Sequence, residues 1–189
     1  MQIINTEGKE KFKREFKFIS KMENFSNVNI IGIILDGDNS VENTFNSICD
    51  VINNCNYHPP KKLNEFSNNN PKIGIYVMPN NKENGMLEDL CLKTVENNPL
   101  INCVNDCINC ANKLYENDKV YNYFNEIEYF NNKKFINKKI SNIAKTKAQI
   151  YLALMPKICN SVGVGANKSY WNINSEHLNN LKRFLENFK

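Results

Sequence analysis

The chain has 189 residues, 41% of them apolar and 23% charged, with a formal net charge of +4. That profile suits one globular domain with or without a small insert, and it excludes wholesale disorder. No apolar run approaches the ~20 residues of a membrane span, and the first residues lack the apolar core of a secretory signal. A cytoplasmic chain with no membrane contact is therefore expected. The 24 Lys and Arg against 20 Asp and Glu permit an anionic partner without requiring one. Asparagine is over-used, at 37 residues, which reads as coding bias rather than as a functional tract.

The pattern along the chain alternates strands and helices. Residues 2–5 form a short candidate strand. Residues 9–22 follow helical spacing, with Phe12, Phe16 and Ile19 on one face and most of the lysines elsewhere. Residues 28–35, VNIIGIIL, are apolar on both parities, so this strand is expected to be covered on both faces. It runs straight into Asp36-Gly37-Asp38-Asn39-Ser40, and a helix is expected over 41–53. A loop over 56–71 carries Pro59-Pro60 and Asn70-Pro71. A second strand, KIGIYVM over 72–78, breaks at Pro79. The connection between the strands is long enough for a helical crossover, so the two are expected to be parallel. Asp36 and Pro79 would then share one edge of the sheet.

The second half reads as mainly helical. A helix starts near Met86 with Glu88 and Asp89 in its first turn, and residues 99–137 read as a helical insert. Its aromatic stretch over 121–135 keeps helical core spacing. Residues 142–154 form an amphipathic helix. The G-x-G of Gly163 and Gly165 matches neither a P-loop nor a dinucleotide fingerprint and is read as a turn. A closing helix over 175–188 is expected to turn Leu178, Leu181 and Leu185 inward. Of seven Cys, Cys103, Cys107 and Cys110 form C-x3-C-x2-C. Thiolates at this spacing suit zinc or an iron–sulfur cluster. The spacing is also one face of a helix, and the plainer reading is three small core residues.

The acidic pair at the end of the first long strand carries most of the chemistry. Ligands of open parallel sheets gather outside the carboxyl ends of the strands. Two carboxylates about 6 Å apart at an effective dielectric near 20 repel by roughly 3 kcal/mol. Solvent, a raised pKa or a divalent cation would relieve that repulsion. Hard oxygen ligands select Mg2+, Mn2+ or Ca2+. Gly37 is read as giving the turn its backbone freedom. A strand-end turn in which Asp36 or Asn39 caps the next helix explains the same residues without a metal. Glu88 would favour the positive end of its own helix, or it would complete a metal site or act as a base. Lys145 and Lys147 head the helix over 142–154 and would offset carboxylate charge or grip a phosphate, unless they are merely exposed.

Four stretches in order, IGIILDGD, IGIYVMPNNKENGMLEDL, AKTKAQIYLAL and SVGVGANKSYW, resemble a Toprim-related family of uncharacterised prokaryotic proteins. The resemblance covers roughly residues 27–188. It is similar to the Toprim domains of overcoming-lysogenisation-defect nucleases, and it implies an α/β fold with a Rossmann-like, mostly parallel central sheet flanked by helices. It also implies a single domain, an acidic Mg2+ (or Mn2+) site with Asp36 and Asp38 as metal ligands, and roles for Glu88 and Lys147 in phosphodiester chemistry on nucleic acid. The implied activity is that of a defence-type nuclease, and the implied partner is an ATPase of the defence-associated type. One departure matters. Toprim domains begin with a strand bearing a catalytic glutamate. Glu7, followed by Gly8, lies only 29 residues before Asp36, where the usual module has more structure. Either Glu7 is that glutamate, or the chain lacks the first acidic strand. In the second case a catalytically silent module that binds a nucleotide or a partner protein is the alternative.

Overall fold

The computed structural model describes residues 2–6, 8–117, 140 and 142–189. Glu7 and the aromatic stretch over 121–135 lie outside the described residues. The protein is mixed α/β, with a parallel two-stranded sheet flanked by helices. It divides into two compact units, Met1–Leu90 with Asn174–Lys189, and Cys91–Ile173. The insert expected over 99–137 falls inside the second unit, which extends beyond it at both ends.

In the first unit, β1 (Ile30–Asp36) pairs with β2 (Lys72–Met78) in parallel, in a register that sets Ile30 against Lys72 and Asp36 against Met78. Both strand ends therefore finish level, as the crossover argument requires. The period of two sorts the side chains onto two faces. On one face Ile33, Ile73, Ile75 and Val77 meet α1 (Lys9–Ile19) through Phe12 and Phe16, and α2 (Val41–Asn54) through Val41, Ile48, Val51 and Ile52. On the other, Tyr76 and Met78 join Leu90 and Phe184, with Phe66, Leu178, Leu181 and Phe188 around them. Ile52, Ile73 and Ile75 are fully buried, and each such side chain contributes about 1.5–3 kcal/mol. Gly74 is small because a Cβ there would strike the Phe66 ring.

Several expectations need correction here. β1 is not covered on both faces: β2 is the buried strand, while Ile34 of β1 is 38% exposed. Among the described residues β1 pairs with β2 alone, so its other edge lacks a neighbouring strand. Residues 2–5 form no strand, and Ile3 and Ile4 are exposed. The closing segment is a 3-10 turn over Glu176–Leu178 followed by a helix over Asn179–Glu186, in which Phe184 points inward and Leu185 is exposed. The larger aromatic ring takes the place expected of Leu185, against Phe66 and Tyr76.

After α3 (Leu87–Thr94), the second unit holds α4 (Leu100–Glu116), α5 (Ile143–Ala153) and α6 (Val162–Asn167). Its core gathers Val104, Ala148, Tyr151, Leu152 and Trp171. The Tyr151 and Trp171 rings stack with centroids 5.0 Å apart, and the indole Nε1–H donates to Val162 O at 3.0 Å. The G-x-G stretch is this short helix, not a turn. Ser161 caps it by accepting from Val164 N, and a Cβ on Gly165 would meet Leu152 and the indole at 2.7 and 2.9 Å. The three cysteines of α4 are exposed, while Val104 and Ile108 are its buried residues. Their spacing correctly marks one helical face, but the branched aliphatics claim the buried stripe, so the core reading of the cysteines fails. No helix among the described residues is long and apolar enough to cross a membrane.

Candidate functional site

The carboxyl end of the parallel pair is closed by the turn after β1. Gly37 N donates to Met78 O at 3.0 Å, which ties the turn to the end of β2. The turn's left-handed residue is Asp38, with φ 47°, not Gly37. Glycine at 37 serves close approach instead: a Cβ there would lie 2.6 Å from Met78 O, a backbone atom that cannot swing aside. Asp38 N donates to Gly85 O at 2.7 Å, and Asp36 Oδ1 accepts from Leu87 N at 3.0 Å. The loop after β2 and the start of α3 are thereby fastened to the two aspartates.

This arrangement gives Asp36 a structural task. Its carboxylate satisfies an N–H in the first turn of α3, one of the donors that a helix leaves without an internal partner. Asp89 Oδ2 takes the preceding donor, Met86 N, at 2.9 Å. Glu88, half-buried, follows Leu87 directly and so lies in the first turn of α3, beside the N–H that holds Asp36. The structure thus brings Asp36, Asp38 and the chain at Glu88 to one edge. Among the described residues, however, no three His, Cys, Asp or Glu side chains gather into a metal-holding group. Lys147 and Lys145 belong to the second unit, where Lys145, exposed, lies in the first turn of α5 and Lys147, half-buried, just after it. Asn142 caps that helix by accepting from Lys145 N at 2.9 Å.

Lys9 is the residue that the sequence did not single out. Its ammonium lies 2.8 Å from Asp38 Oδ2 and donates to Thr44 Oγ1 at 2.7 Å. Thr44 is buried in α2 and its hydroxyl donates to Gly37 O at 3.3 Å, so the same contacts brace the acidic turn from below. A lysine at the first position of a helix sits unfavourably at the positive dipole end, and Asp38 offsets this. The repulsion expected between the aspartates is therefore answered by two internal groups, the Leu87 amide at Asp36 and the Lys9 ammonium at Asp38. The only sequence signal for Lys9 was a basic residue opening α1, and nothing in spacing links it to Asp38.

Hard oxygen donors three residues or fewer apart, on a turn fixed by backbone hydrogen bonds, suit a divalent cation of the Mg2+ or Mn2+ type. Occupation by a cation would require the Lys9–Asp38 pair to open. Lys9 and Asp38 side chains are 35% and 46% exposed, so this pair is a screened one that exchanges at small cost.

A family model described as protein of unknown function (DUF3226) matches residues 1–189, and the chain belongs to that family. No curated protein and no solved structure matches it.

Proposed function

We propose that this family member carries out Mg2+-dependent phosphodiester chemistry on nucleic acid, as a Toprim-like nuclease of the defence type in the cytoplasm. The observation that carries the reading is the convergence at one sheet edge. Asp36 ends β1 level with the end of β2 and Asp38 follows in the turn, and the Leu87 N–H and Gly85 carbonyl pin them there. Asp36 and Asp38 would hold Mg2+ or Mn2+, with Glu88 as a further ligand or base. When bound, the cation would supply Lewis-acid neutralisation of phosphate charge. Asp36 also orients the start of α3, and with it Glu88. Lys9 balances the acidic turn when no cation does so. Lys147 has the chemistry to neutralise phosphate, and an ATPase partner follows only from the Toprim resemblance.

The direct test is cleavage of labelled single- and double-stranded oligonucleotides with Mg2+ or Mn2+. Activity in the wild type that disappears in Asp36→Asn/Asp38→Asn supports the reading. Activity equal in both proteins would assign it to a contaminant and defeat the proposal.

A second reading has its own observation. The Lys9 ammonium already pairs with Asp38, and no third ligand closes the set among the described residues. A catalytically silent Toprim-like module that binds a nucleotide or a partner protein accounts for both. It predicts no cation-dependent cleavage of any oligonucleotide.

A further inference from the structure

Next to the acidic edge lies an open groove of about 640 Å³. It runs between the first turns of α2 and the loops that flank β2. Lys61, Lys62 and Lys82 line it, with Asn46, Asn84 and the half-buried Phe45. Glu42 is the one acidic residue in the lining. Lys62 is neutralised by Glu65 at 3.0 Å, whereas among the described residues neither Lys61 nor Lys82 forms an ion pair. The groove therefore carries two ammonium groups with no ion pair among the described residues, against the one carboxylate of Glu42. The positive end of the 14-residue α2 adds to the same field. Its first amide, Val41 N, is already taken by Asn84 Oδ1 at 3.1 Å, so the helix contributes potential rather than that donor.

The groove and the acidic edge are built on the same two loops. Asn84 holds Val41 and the adjoining Gly85 holds Asp38, so consecutive residues wall the groove and fasten the aspartates. An open, shallow site suits a chain better than a small molecule, which favours an enclosed cavity. Ammonium groups along a groove with amides and an aromatic side chain in its lining are the elements of single-strand binding, where phosphates meet lysines and bases meet a ring.

We infer that this groove is the track for a single-stranded nucleic acid, with phosphates held by Lys61 and Lys82 and the strand led past Asn84 toward Asp36 and Asp38. The inference rests on the reading of that edge as a site of phosphodiester chemistry, but its binding step does not need a metal. It is tested by fluorescence anisotropy of a labelled oligothymidylate in EDTA, over a series of salt concentrations. Lys61→Gln/Lys82→Gln is compared with Lys157→Gln/Lys168→Gln, an exposed pair in the second unit with the same change of charge. The groove variant is expected to bind at least tenfold more weakly at low salt. The slope of log K against log salt should flatten by about 1.4, at ~0.7 per lost phosphate contact on a single strand. The control pair should retain binding.

Equal losses in the groove and control variants would reduce the effect to net charge and overturn the inference. Absence of wild-type binding, or binding unmoved by the groove variant, would also overturn it. Binding in EDTA without any cleavage on adding Mg2+ or Mn2+ would leave the track standing and count against the nuclease reading alone.

Discussion

Replacing Lys9 with methionine separates the internal counter-ion from the acidic turn that it serves. The Lys9–Asp38 pair is short, at 2.8 Å, but both side chains are more than a third exposed, so its net worth is about 0.5–1 kcal/mol. A cation arriving at Asp38 must give up that amount in the wild type and also meets the repulsion of a nearby ammonium. Without Lys9 both terms vanish, and together they come to about 1 kcal/mol, or roughly a fivefold gain in Mg2+ affinity. The gain should shrink in 1 M salt, where the Debye length is ~3 Å. Lys9→Met also removes a hydrogen bond to buried Thr44, worth about 1 kcal/mol. With the ion pair the loss comes to about 1.5–2 kcal/mol, so its melting temperature should fall by about 3–8 °C, with the fold intact. Titration calorimetry with Mg2+ on the wild type and Lys9→Met reads the affinity, and thermal denaturation reads the fold. Unchanged or weaker Mg2+ binding in a folded Lys9→Met protein would refute the competition between ammonium and cation.

Gly37→Ala should cost about 1–3 kcal/mol in urea unfolding and abolish cation binding, because its Cβ would press against Met78 O at 2.6 Å and displace the turn; wild-type stability would contradict this. Of the seven cysteines, Cys103, Cys107 and Cys110 are exposed, so a thiol reagent should find three fast groups in the native protein and the rest after denaturation. Protection of those three, restored to reactivity by a chelator, would instead establish the zinc reading. Burial, reinforced by the Asp50 carboxylate, pushes the Cys49 thiol up to about 11 from 9.0. The fold thus favours the protonated thiol: its contribution is complete below pH 9 and is lost as pH rises through about 11. Cys49→Ala should weaken this part of the alkaline destabilisation, as followed by urea unfolding between pH 8 and 11.

The strands and their parallel relation were legible because short apolar runs bounded by turn residues leave few alternatives, and because the long connection between them excludes a hairpin. Asp36 and Asp38 were legible for the same reason: a strand end fixes where its next residues go. Coverage was harder to read. An apolar strand such as residues 30–36 looks alike whether one or both of its edges and faces are occupied, and Ile34 remains exposed. The cysteine stripe of α4 showed its face but not its direction, since Val104 and Ile108 lie one position along and bury more area. At 163–165 the glycines suggested a turn, yet the Ser161 cap and the Trp171 ring make a helix there, with Gly165 fitted under the indole. Lys9 escaped notice because its partner is set by tertiary packing of α1 on α2, for which no local spacing exists.

The central claim is that Asp36 and Asp38 form a divalent-cation site. The most direct test is calorimetric titration of Mg2+ and Mn2+ into the wild type and Asp36→Asn/Asp38→Asn. Saturable binding in the wild type that disappears in a folded double variant is the predicted result. Equal weak binding in both proteins would contradict the claim and leave the acidic turn as a structural device, with Asp36 holding α3 and Asp38 holding Lys9.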